Sequence, residues 1–142
     1  PLYMQMLGSQ FQAHPPIAPF LVQVSKPDHP LVQGIEPFET TDELYLAEYH
    51  GENTPLLHCE YKGTLNDFEH SDWEDDSKHL VFYLHPYAAG EVLYLTLGHC
   101  RGKYDMQPLT DEYYRVERCS WEQPIYYELL RRGIRWAANL QI

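Results

Sequence analysis

Two short stretches hold the residues best suited to chemistry: Gly98-His99, which ends an apolar run, and Asp42-Glu43-Leu44-Tyr45. An imidazole titrates near neutrality, so His99 can serve as a general base, a metal ligand or a hydrogen-bonder for a sugar hydroxyl. The alternative is a loop histidine that caps a backbone carbonyl. Asp42, Glu43 and Tyr45 offer carboxylates and a phenol, which meet His99 only if folding joins the two segments. Otherwise they are charged residues at an exposed strand start. After His99 the chain carries Arg101, Lys103, Tyr104, Tyr113 and Tyr114. That cationic, aromatic loop suits a carbohydrate or carboxylate ligand, because tyrosine faces stack on apolar sugar faces while hydroxyls bond the rims. Tyrosine is common throughout, 12 of 142 residues, so the loop's aromatic content is only a modest signal.

Other chemistries lack their residues. None of the eight histidines forms H-E-x-x-H, the spacing that sets two ligands on one helical face. The neighbours His58-Cys59 and His99-Cys100 point to opposite faces if extended, so neither pair chelates one ion. There is no G-x-S-x-G elbow, no G-x-G-x-x-G and no phosphate-binding loop. Adjacency argues against a Cys100–His99 nucleophile–base pair. His14 before Pro15-Pro16 and His29 before Pro30 read as turn-fixing residues.

The elements that must position these groups follow from local pattern. Residues 2–7 read as a helix end closed at Gly8 by a left-handed cap. The prolines at 15, 16 and 19 make 9–19 an extended loop. Strands are expected at 20–25, 41–49 and 55–61, with a turn and one helical turn between Pro27 and Gly34. The strongest strand signal is 80–97, two β-branched and aromatic arms around Ala88-Ala89-Gly90, which reads as a hairpin inside a covered sheet. His99 then sits just past an interior strand, where open α/β sheets bind ligands, and Gly98 allows the sharp turn that would aim it there. Residues 101–119 form a long irregular connection. Helix is expected over 121–139, with a Ser120/Gln123 capping box, Pro124 in the first turn and Gly133 allowing close packing on a strand. Strands backed by a long amphipathic helix predict α/β layering.

Composition narrows the class. At 142 residues, with 44% hydrophobic and 22% charged, the chain is one globular domain spanning 1–142. A net charge of −11 argues against nucleic acid or an anionic membrane as partner. No apolar run reaches the ~18–20 residues of a membrane helix. Residues 66–76 hold six carboxylates and no Lys or Arg, which reads as a solvated loop, with a hard-cation site as the alternative. The odd count of three cysteines, without C-x-x-C, points to a reducing, cytoplasmic compartment. The chain starts at Pro1, so an upstream export signal stays open.

The order of motifs resembles the ThuA-like (trehalose utilisation) family. They are Leu7-Gly8-Ser9-Gln10-Phe11 with His14-Pro15; Pro27-Asp28-His29-Pro30-Leu31 with Gly34-Ile35; Asp42-Glu43-Leu44-Tyr45; Gly90-Glu91-Val92 through Gly98-His99; and Leu130-Arg131-Arg132-Gly133-Ile134-Arg135-Trp136-Ala137-Ala138. The resemblance implies a flavodoxin-like, class I glutamine amidotransferase-like three-layer α/β sandwich, without the amidotransferase activity. It also implies sugar or disaccharide catabolism, with a keto-sugar as substrate, and places the family's motifs on Asp42, Glu43, Tyr45, Gly98, His99 and His14. The family's first strands would precede Pro1, so the chain is expected to be the carboxy-terminal three-fifths or so of such a domain.

The expected site is therefore His99 as general base or metal ligand, Glu43 as its carboxylate partner and Tyr45 as hydroxyl donor. His14, Arg101 and Tyr104 are expected to bind substrate. A divalent ion held by His99 and Glu43 remains open as a cofactor. The competing class is a non-catalytic carbohydrate-binding or assembly module on the same fold, and a homo-oligomer would cover the sheet edge left by missing strands.

Overall fold

The structure is a computed structural model that describes residues 1–65, 73–75 and 78–142. Helix α1 (Leu2–Leu7) ends at Gly8, whose φ of 70° forms the left-handed cap. The chain then runs through β1 (Ser9–Ala13), β2 (Ala18–Val24), β3 (Phe38–Asp42), β4 (Leu46–Tyr49), β5 (Thr54–Glu60), β6 (Gly63–Leu65), β7 (Trp73–Asp75), β8 (Lys78–Tyr87) and β9 (Gly90–Leu95). A 3-10 turn, Cys119–Glu122, leads into α2 (Pro124–Ala137). The main sheet has five strands in the order β3-β2-β5-β8-β9; β1 with β4 and β6 with β7 form separate two-stranded ribbons.

The class is α/β, but every described strand pair is antiparallel. A parallel, doubly wound sheet is thus not what presents the site. β5 and β8 are buried at consecutive positions, as strands covered on both faces are. Leu56, Leu57, Val81 and Phe82 meet Tyr126 and Leu129 of α2 and Ala13 and Leu46 of the β1–β4 ribbon in one core. Helix α2 approaches the sheet closely at Gly133, where an added Cβ would lie 3.3 Å from a methyl of Leu93.

Several local expectations change. Residues 9–13 pair with β4 and are a strand rather than part of a loop, because the prolines begin only at Pro15. The strand expected over 41–49 is broken: β3 stops at Asp42, β4 starts at Leu46, and the two join different sheets. The 80–97 hairpin forms, with Tyr87 opposite Gly90 and the positive φ on Ala88. Its second arm, however, is the sheet edge among the described residues, and β9 is only partly buried. His99 therefore leaves an edge strand, not an interior one. The capping box also fails to form. Gln123 occupies the N-cap without a side-chain bond, and the Ser120 hydroxyl turns inward instead. The acidic stretch lies mostly outside the described residues.

Leu129 is fully buried where α2 meets the sheet. Leu129→Ala should cost about 2–5 kcal/mol, the usual range for a core leucine. Urea denaturation checks this, and a loss under about 1 kcal/mol would mean α2 adds little to the core.

Candidate functional site: an Asp–His–Tyr line beside an aromatic cavity

Asp42 ends β3, where period-2 alternation turns Phe38, Thr40 and Asp42 to the same side and buries Asp42 to 1% exposure. Pairing then stops. Release from the strand lets the next residue, Glu43, turn to the same site, which a continuous strand would forbid. The second half arrives from the turn after β9. Gly98 has a φ of 108°, and a Cβ there would lie 2.1 Å from the Tyr126 hydroxyl, so only glycine fits this bend. The Trp121 indole N–H donates to the Gly98 carbonyl at 2.7 Å and fixes the turn from outside.

Asp42 receives the turn. Its Oδ2 accepts the Gly98 N–H at 2.8 Å, the Ser120 N–H at 3.3 Å and the Ser120 hydroxyl. Its Oδ1 accepts the Glu43 N–H at 2.8 Å and the His99 N–H at 3.2 Å. The His99 ring donates from Nδ1 to the same oxygen at 3.0 Å. Burial alone would raise this carboxyl's pKa, yet the bonds from His99, Ser120, Gly98 and Glu43 outweigh it and hold the pKa below the ordinary value.

With Nδ1 carrying its proton toward Asp42, Nε2 of the neutral ring is an acceptor, and the Tyr45 hydroxyl lies 2.8 Å from it. Burial, helped by the nearby Glu43 charge, pushes the Tyr45 phenol up to about 12. It therefore stays protonated at neutral pH and donates to His99. Glu43 Oε1 lies 3.4 Å from the same Nε2 and 3.7 Å from His14 Nε2. Arg101 bonds the other Glu43 oxygen directly. Burial opposes the Arg101 charge, but Glu43 and Tyr113 more than compensate and raise its pKa above the ordinary value.

This line ends at a cavity of about 540 Å³ between α1, the β1–β4 ribbon and the β8–β9 face. Glu43, His14 and Tyr45 line it together with Tyr3, Phe11, Tyr49, Tyr83 and Tyr94, and no Lys or Arg does among the described residues. His99 and Arg101 stand behind the wall. Tyr83 donates to the Leu7 carbonyl at 3.0 Å and accepts from the Ser9 hydroxyl at 2.8 Å, which ties α1 over the cavity.

The structure thus brings His99, Glu43, Tyr45, His14 and Arg101 together. It differs from the expected arrangement in three ways. Asp42, not Glu43, orients the His99 ring through Nδ1; Glu43 faces the opposite nitrogen. Tyr45 stands between the imidazole and the cavity, so His99 does not open onto it directly. Tyr104 is 59% exposed, with the Lys103 ammonium 5.5 Å above its ring, and does not line the cavity. Ser120 and Trp121 were not expected at the site at all, because a serine ahead of a helix reads as a cap. The inward face shared by Thr40 and Asp42 is the signal that could have marked Asp42.

A divalent ion does not fit these donors. Both His99 nitrogens are engaged, Glu43 is paired with a guanidinium, and no group of three or more His, Cys, Asp or Glu is set to hold a metal among the described residues. Nor is any helix among them long and apolar enough to cross a membrane.

A small α/β protein with a buried carboxylate–imidazole–phenol line at an aromatic cavity is the class that this geometry defines. The sequence profile of the ThuA family, described as trehalose utilisation, matches residues 1–115, and the chain belongs to that family. The placement is consistent with the class I glutamine amidotransferase-like superfamily. The match includes Asp42, Glu43, Tyr45, His99 and Arg101; it ends before Ser120 and before the 130–138 motif. No curated protein matches the chain, and no solved structure does.

The lowered Asp42 pKa has a definite consequence for stability. As pH falls, the unfolded carboxyl takes up its proton first, near pH ~3.9. The contribution is whole above that value and is lost as pH falls through the lower native pKa. Asp42→Asn should be less stable at neutral pH, with a flatter acid limb, in acid unfolding followed by circular dichroism. An unchanged limb would mean that Asp42 is not held this way.

Proposed function

We propose that this site performs acid–base chemistry on a sugar or disaccharide, with a keto-sugar as the substrate class, within sugar catabolism of the trehalose type. The observation that carries the reading is the unbroken line from Asp42 through His99 to the Tyr45 hydroxyl at the cavity wall. Membership of the family, described as trehalose utilisation, supports a sugar as the ligand.

The roles follow from the bonding. As base, the Tyr45 oxygen takes a proton from a carbon beside the sugar carbonyl while its own proton passes to His99 Nε2. The ring becomes an imidazolium between two carboxylates, Asp42 on Nδ1 and Glu43 on Nε2, and that charge is stabilised as it forms. Reversal returns the proton to the same carbon, which is exchange, or to the former carbonyl carbon while the enediolate's hydroxyl proton passes to the neighbouring oxygen, which is isomerisation. Such a relay fits isomerisation or proton exchange. His14 and the tyrosine rings offer the sugar a hydrogen bond and apolar faces. Arg101 orients Glu43, and Tyr104 is left to meet a ligand only from the outer loop.

A second reading is favoured by the cavity's aromatic lining: a carbohydrate-binding or assembly module without turnover. The flavodoxin-like sandwich implied by the family rests on membership alone, since the described strands pair antiparallel. Three free cysteines support a cytoplasmic setting, and a second copy across the β9 edge is the form that self-association would take.

Solvent deuterium incorporation into a keto-disaccharide, read by NMR, separates the two classes. His99→Ala and Tyr45→Phe should each lower the exchange rate by about 100-fold or more, the contribution of a positioned acid–base group. Equal rates in wild type and both variants would favour the binding module.

A further inference from the structure

Ser120 lies past the stretch matched to the family, yet it is 1% exposed and its side chain faces the site. A hydroxyl ahead of α2 could have capped the helix; it bonds Asp42 Oδ2 instead, as does its own N–H. With that hydroxyl proton committed to Asp42, the Thr40 hydroxyl at 2.8 Å is the donor to Ser120 Oγ. Together with the Gly98 N–H, these bonds saturate Oδ2 and fix the carboxylate plane. Oδ1 is left to the Glu43 and His99 N–H groups and to His99 Nδ1. The next residue, Trp121, holds the Gly98 carbonyl on the far side of the same turn. One 3-10 turn thereby grips both the carboxylate that orients the imidazole and the backbone that delivers it.

We propose that Ser120 is a positioning residue for the His99 ring: by locking the Asp42 carboxylate, it sets which nitrogen carries the proton and where Nε2 points. The hydroxyl is the side-chain donor on Oδ2; without it the Gly98 and Ser120 N–H groups alone hold that oxygen, and the carboxylate plane can tilt relative to the ring. The effect on turnover rests on the acid–base reading above; the effect on the ring does not.

Proton–nitrogen NMR of the full chain tests it. The His99 Nδ1–H proton, bonded to Asp42, should give a downfield, slowly exchanging resonance in wild type. In Ser120→Ala, with far-UV circular dichroism unchanged, that proton should vanish or exchange at least about tenfold faster. Ser120→Thr, which keeps the hydroxyl, should restore it. The rate constant kcat for deuterium exchange on the keto-disaccharide should fall about tenfold in Ser120→Ala while KM is unchanged. If Ser120→Ala does not fold, Thr40→Val removes the donor behind Ser120 and should move the resonance in the same direction, by less. An Nδ1–H resonance unaltered in whichever variant folds overturns the proposal. A resonance that responds in a protein without exchange activity keeps the positioning role and removes the acid–base reading.

Discussion

One carboxylate organises the molecule around it. Asp42 is 1% exposed and accepts bonds from three separate pieces of chain: its own neighbour Glu43, the Gly98-His99 turn, and Ser120 in the 3-10 turn. A buried charge without partners would cost several kcal/mol, so these donors together serve the fold as well as the site. Removal of Asp42 would leave backbone N–H groups from two turns unpaired inside the protein. The same bonds keep the carboxyl ionised and give the His99 ring its tautomer. Stability and chemistry here share one set of hydrogen bonds.

That sharing explains why the segments meet as they do. β3 must end at Asp42 for Glu43 to face the site, and the bend at Gly98 must be tight for His99 to reach back. Trp121 and Tyr126, whose rings stand 4.8 Å apart, close the outer side of that bend. Helix α2 is therefore coupled to the site through its first turn even though its long axis serves the sheet. The cavity is built separately, by α1, the β1–β4 ribbon and the β8–β9 face, and Tyr45 and Glu43 are where the two constructions touch. A ligand in the cavity would meet the phenol first, and the imidazole would respond through it.

Much of this could be read in the residues beforehand, and the failures have physical reasons. The 80–97 hairpin, α1 with its Gly8 cap, α2 and the contact at Gly133 follow from local pattern, which those segments obey. The pairing of β1 was hidden because Ser9–Ala13 has no β-branched residue and precedes a proline cluster. The edge position of β9 was hidden because an apolar strand reads alike whether a neighbour strand or only α2 covers it. At the site, His99, Glu43 and Tyr45 could be named from residue type and motif, and the structure sets the Tyr45 hydroxyl 2.8 Å and the Glu43 carboxylate 3.4 Å from His99 Nε2. Asp42 is hidden as a partner because alternation on one continuous strand over 41–49 would turn it away from Glu43 and Tyr45. The break at 43–45 removes that rule, and nothing local announces the break. Ser120 illustrates the converse: a good local cap signal overridden by a buried carboxylate that needs a donor.

The central claim is that the His99 ring carries its proton on Nδ1 toward Asp42 and presents Nε2, through Tyr45, to a ligand in the cavity. The nitrogen-15 spectrum of the His99 ring, recorded with and without a keto-disaccharide, addresses it directly. The account predicts the Nδ1–H tautomer in the free protein and a shift at Nε2 when the sugar is added. A ring protonated on Nε2 alone, or an Nε2 signal indifferent to a sugar that binds, would contradict it.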